Sequence, residues 1–167
     1  MRVLAVAAVL FLPAGAVAND PGETGGKLDL RSVKAVQDGT LVRLKISTYG
    51  PWASKLLQPT AHGRASATGL TVYYDVNGDA TADYTGRIVY RGRLYEWITG
   101  KGKSLEPVPV TRPTPSSASF THPVDALFPV GAQSPRKLRL MVVSVYRKRD
   151  RAPSTGWLSV SFGPRLP

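Results

Sequence analysis

Leu41-Val42-Arg43-Leu44-Lys45-Ile46-Ser47-Thr48-Tyr49 decides the fold class. Val42, Leu44, Ile46 and Thr48 fall on one side of an extended chain, and Arg43, Lys45 and Ser47 fall on the other. A period of two belongs to a strand with one face buried and one wet. Wound as a helix, the same apolar residues would spread around the whole circumference. Just upstream, Leu28 to Val36 reads as a partner strand, joined through the turn Gln37-Asp38-Gly39. Downstream, Gly50-Pro51-Trp52 breaks the strand, and Ala53 to Leu57 has room for one helical turn.

Further out the same grammar repeats. Leu70 to Tyr74 is β-branched and aromatic, and Ile88 to Tyr90, Arg91-Gly92 and Arg93 to Thr99 form a hairpin pattern. Pro107, Pro109, Pro113 and Pro115 remove ladder donors, so 100–117 can serve only as edge strand or connection. Ser119-Phe120-Thr121 rejoins the sheet. Lys137 to Tyr146 is apolar on both faces in its middle, which predicts a central strand, and Trp157 to Phe162 alternates again. No long amphipathic helix and no internal repeat interrupts this order. The pattern predicts an all-β chain: a single antiparallel β-sandwich, jelly-roll or Ig-like, over 28–167, after a flexible lead-in over 19–27. An open barrel is the alternative.

Composition narrows the class further. The 167 residues suit one domain, and 43% hydrophobic content excludes a wholly disordered chain. Beyond the N-terminus no apolar run is long enough for a membrane helix. The absence of cysteine excludes disulfides, thiolate metal sites and a cysteine nucleophile. Met1-Arg2, the apolar run Val3 to Pro13 and the small residues Ala16-Val17-Ala18 predict a signal peptide over 1–18, cleaved after Ala18. The mature chain is then secreted, with no transmembrane segment.

The sharpest local feature is Asp75-Val76-Asn77-Gly78-Asp79-Ala80-Thr81-Ala82-Asp83. Asp75, Asn77, Asp79 and Asp83 stand at positions 1, 3, 5 and 9 of a Ca²⁺ loop, and Thr81 at position 7 can offer its carbonyl. Ca²⁺ takes roughly 6–8 oxygen ligands, and alternate spacing aims them at one centre. Ala80 and Gly86 replace the Gly and Glu of an EF-hand, and strands flank the loop, so it is not an EF-hand. It is similar to the short Asp-x-Asn-Gly-Asp loops of extracellular calcium-binding repeats. The competing reading is a hairpin turn at Asn77-Gly78, its Asp side chains capping local N–H groups and neutralised by Arg87 and Arg91.

Lys and Arg number 22 against 11 Asp and Glu, a net charge of +11. Arg147, Lys148, Arg149 and Arg151 form the densest run, and Arg87, Arg91 and Arg93 form a second group. Such patches bind polyanions by releasing counterions, or serve only as solvated loops. Trp52, in a Gly-Pro turn, and Trp97, beside Glu96, are candidates for stacking on sugars. Catalytic motifs fail one by one. Gly100 to Ser104 ends like a phosphate loop but has Trp97 where the first Gly belongs. His62 and His122 show no carboxylate partner, and Glu96 and Glu106 are too isolated to pair.

The order of features also resembles a family. Leu28-Asp29-Leu30-Arg31-Ser32-Val33, Thr48-Tyr49-Gly50 with Trp52, and the aromatic strand entering Asp75-Val76-Asn77-Gly78-Asp79 with Ala82-Asp83 resemble an uncharacterised family of small secreted actinobacterial proteins. The resemblance covers most of the chain after the export signal. It implies a secreted β-sandwich and brings no catalytic residues. Three functions follow as expectations. The first is a secreted, non-catalytic binding or surface-interaction module for an extracellular ligand, Ca²⁺-stabilised if the acidic loop holds metal. The others are a polyanion binder for cell-wall polymer or nucleic acid, and a divergent extracellular hydrolase.

Overall fold

Alternation at 41–48 buries Val42, Leu44, Ile46 and Thr48 and leaves Leu41, Arg43 and Lys45 in solvent, as the period of two requires. A computed structural model describes residues 15–22, 25–59, 68–128 and 136–162. Among these, twelve strands form: β1 Gly15–Asn19, β2 Leu30–Asp38, β3 Leu41–Thr48, β4 Gly69–Asp75, β5 Tyr84–Arg91 and β6 Arg93–Gly100, then β7 Lys103–Ser104, β8 Val108–Val110, β9 Ser117–Pro123, β10 Arg136–Tyr146, β11 Lys148–Ala152 and β12 Leu158–Phe162. A 3₁₀ turn, Ser54–Leu57, and one helical turn, α1 Val124–Leu127, are the helical elements among the described residues.

Every pairing is antiparallel, in two sheets packed face to face. One sheet runs β1-β2-β3-β9. The other runs β11-β10-β4-β5-β6-β7, with β12 also on β10 and β8 also on β6. Val33, Leu44, Ile46 and Phe120 of the first meet Leu70, Val72, Ile88, Ile98, Leu140 and Val142 of the second in one core. The chain is therefore a β-sandwich. The long strand β10 is central, paired with β4 along one side and with β12 and then β11 along the other. Its apolar outer face explains itself: Val143 is buried there as well. Proline confines β8 to an edge, where Pro109 lies opposite Tyr95. At that side the sheets are stitched by paired bonds between Thr111 and Ser119, both 2.8 Å.

Three expectations change. The basic run at 147–151 is not a loop: Arg147 turns the chain with φ +65°, and Lys148–Ala152 is strand β11 on β10. The lead-in is tied where it is described, because Asp20 is buried and its N–H donates to Arg31 O. Residues 1–14 of the expected signal peptide lie outside the described residues, while 15–19 form an edge strand on β2. Ala16 and Ala18 of that strand pack against the core, and Val17 is 54% exposed. Cleavage after Ala18 would take most of β1 away and bare the edge of β2.

Candidate functional site

The acidic loop joins β4 to β5 and is closed by its own backbone. Asp75 Oδ1 accepts from Gly78 N–H at 2.6 Å, and Oδ2 accepts from Ala80 N–H at 2.9 Å. Asp83 Oδ2 takes the N–H groups of Val76 and Asn77, Asn77 Oδ1 takes that of Asp79, and Asp79 Oδ1 takes that of Thr81. That last bond, followed by the Asn77 amide, holds the Asp79 carboxyl below its usual range. Positive charge comes from Lys101, 2.9 Å from Asp83, and from Arg139, 3.6 Å from Asp75. Among the described residues no three His, Cys, Asp or Glu side chains converge on a point that can hold a metal. Drawing Asp75, Asp79 and Asp83 onto one ion would pull them from these donors and place it against two cations. Melting curves in EDTA and in millimolar Ca²⁺ are therefore expected to coincide. A Ca²⁺-specific rise, lost in Asp79→Ala, would instead make the loop a metal site.

A second polar group, missed in the sequence, lies between the sheets. Glu96 of β6 accepts from Tyr74 OH at 2.6 Å on Oε1, and its Oε2 lies 2.5 Å from His122 Nε2 of β9. Glu96 and Tyr74 are fully buried and His122 is 2% exposed. His122 thus does have a carboxylate partner, 26 residues away on the opposite sheet. To reach Tyr74 the Glu96 side chain crosses β5 at Gly86, where any Cβ would collide with the carboxylate. Burial first, and the Glu96 charge second, push the Tyr74 phenol well above its ordinary pKa, so it stays a donor. Sealed from solvent, the network ties sheet to sheet. His62, the other histidine considered, lies outside the described residues.

The basic residues assemble differently from their sequence grouping. Burial of Leu70, Val72, Ile88, Leu94 and Val142 fixes the inner face of the larger sheet, so their alternating neighbours face outward. Register then sets Arg151, Val143, Thr71, Arg87 and Trp97 in one row across β11, β10, β4, β5 and β6. At about 4.8 Å per strand the row spans roughly 19 Å. Two residues along, Arg149 lies opposite Val145 and Val89 opposite Tyr95, and Arg91 lies opposite Arg93 at the hairpin end. Trp97 is 39% exposed, with the Arg91 guanidinium 5.0 Å from its ring centroid. Arg151 is held by Gly156 O, and Arg147 turns toward Tyr146. Among the described residues no carboxylate lies within ion-pair distance of Arg91, Arg93, Lys148 or Arg149.

Trp52 does not join them. It is 4% exposed, part of the core, and its ring is covered by Arg112 at 4.0 Å, so it offers no stacking surface. The phosphate-loop look-alike is a hairpin turn at Lys101-Gly102 between β6 and β7. What fold and site define is an antiparallel β-sandwich with an arginine-rich outer face. No protein-family model, curated protein or solved structure matches the chain.

Proposed function

We propose that this protein is an exported, non-catalytic binding module whose ligand is a linear acidic glycan, held on the outer face of the larger sheet. The observation that carries the reading is the register. It gathers Arg87, Arg91 and Arg93 with Arg149 and Arg151 on the face that also exposes Trp97. Five of the 11 acidic residues, Asp20, Asp29, Asp75, Glu96 and Asp150, are buried, so the surface is more one-sidedly basic than composition alone conveys. Arg91 opposite Arg93 repels it across the hairpin, a cost that a bound anion removes. Sulfates or carboxylates of the polymer then meet the guanidinium groups, and a sugar ring packs against the exposed part of Trp97 that Arg91 does not cover.

Retention on heparin tests this. Affinity is expected to fall steeply and log-linearly with salt. The combined change Arg91→Glu, Arg93→Glu and Arg149→Glu should weaken it by about tenfold or more, because each lost contact removes a counterion-release step. Lys103→Glu makes the same kind of charge change opposite Gly100, on the other side of β6 from Trp97, and should leave affinity near wild type. Trp97→Ala should weaken heparin but not polyphosphate, which has no ring to stack. Salt-insensitive retention would sink the reading.

A further inference from the structure

The opposite outer face carries its own basic site. On the smaller sheet, Lys34 of β2, Lys45 of β3 and Ser119 of β9 lie side by side in one row, with Val36 and Arg43 in the next. Together with Asp38 they line a groove of about 460 Å³. Three cations there face one carboxylate, and that carboxylate is engaged with Arg43 at 3.3 Å. Lys34 and Lys45 are directly opposed across the strand pair, an arrangement that destabilises a sheet unless something negative sits between the ammonium groups. Ser119 Oγ donates to Leu44 O at 2.9 Å, so its proton is already used and the lysines and Arg43 are the donors an anion would meet. The groove thus has the charge of an anion site, and two opposed lysines whose mutual repulsion a bound anion would relieve.

We propose that this groove binds a sulfate or carboxylate group of an acidic glycan, and that the chain bridges two glycan strands, one on each outer face. The bridging half rests on the arginine-face reading above; the groove itself does not. The two faces look away from each other across two packed sheets set about 10 Å apart, so a short oligomer on one cannot touch the other.

Calorimetry with a short heparin oligosaccharide on the full chain counts the sites. Two equivalents are expected. Lys34→Glu with Lys45→Glu should remove one, and the triple arginine change should remove the other. Long heparin should produce light scattering that peaks at an intermediate ratio, and either set of changes should reduce that peak about tenfold. Lys34→Gln with Lys45→Gln guards against misfolding: it relieves the repulsion, should melt no lower than wild type, and must lose the same equivalent. A single equivalent that ignores the lysine changes overturns the bridge and leaves the arginine face standing. A single equivalent lost with the lysines but indifferent to the arginines overturns the arginine face and the bridge, and leaves the groove. No binding overturns both.

Discussion

Glu96→Ala is expected to lower the unfolding free energy by roughly 3–5 kcal/mol, the usual cost of breaking a buried ionisable pair from one side. Tyr74 OH and His122 Nε2 both turn to this carboxylate, and both are buried, with only a 3.4 Å contact to each other besides. In a chain of this length the loss corresponds to a fall in Tm of roughly 6–20 °C. Glu96→Gln keeps the shape and one acceptor, and should cost only about 1–2 kcal/mol. His122→Ala combined with Glu96→Ala should fall well short of the sum of the two single losses, because the second change removes a partner already stranded. Gly86→Ala attacks the same network from below and should also be strongly destabilising, since its methyl group would occupy the path of the Glu96 side chain. A Glu96→Ala variant melting within a degree or two of wild type would show that the network contributes nothing.

The same group sets a limit at high pH. The Tyr74 phenol is raised in the folded chain, by burial first and by Glu96 second. A raised folded-state pKa contributes stability that is fully present below the unfolded value, about 10, and is lost as pH climbs toward the folded one. Alkaline melts of wild type should therefore weaken above pH 10 more steeply than those of Tyr74→Phe.

Sequence patterning reached the strands because one-faced burial leaves a period of two, which β3 and the β5–β6 hairpin show directly, while the run apolar on both faces marks β10 as central. It stopped where function depends on which strands become neighbours. Arg87 and Arg151 share a row only because β4 and β10 pair, although they are far apart in the chain. Some of the rest was within reach. Glu96 stands between Leu94 and Ile98 on the inward parity, so a buried carboxylate, and hence the need for a buried partner, was written in the alternation. The turn at Gly39-Thr40 opposes Asp38 to Leu41, and counting back from it sets Lys34 against Lys45. Trp52 was misleading because its Gly-Pro setting suggested exposure, whereas the 3₁₀ turn after it carries Leu57 into the core and the indole goes with it.

Asp150 is the second place where one side chain carries a large effect. It sits within the basic strand β11, yet its carboxylate is buried while Lys148 and Arg149 are exposed. Oδ2 accepts the Leu30 N–H of β2 at 2.6 Å, and Oδ1 accepts the Arg151 N–H at 2.8 Å. Leu30 precedes the bulge between Leu30 and Ser32, where the ladder to β3 is interrupted, so the acid takes a donor that the sheet leaves free. Because both oxygens accept, asparagine can satisfy only one of the two donors and must point its own N–H₂ at the other. Asp150→Asn should therefore cost roughly 1–3 kcal/mol, unlike a surface charge change, and Asp150→Ala at least as much. Neighbouring Ser144 Oγ donates to Leu28 O at 2.6 Å and continues the same seam between the sheets. Loosening Asp150 should speed amide exchange at Leu30 and along β11 before global unfolding, while amides of β5 and β6 keep their protection. Equal loss of protection everywhere would mean that the acid supports the fold as a whole and does not anchor this hairpin. A local loss, with weaker heparin retention, would show that a buried negative charge holds the arginines of β11 on the binding face.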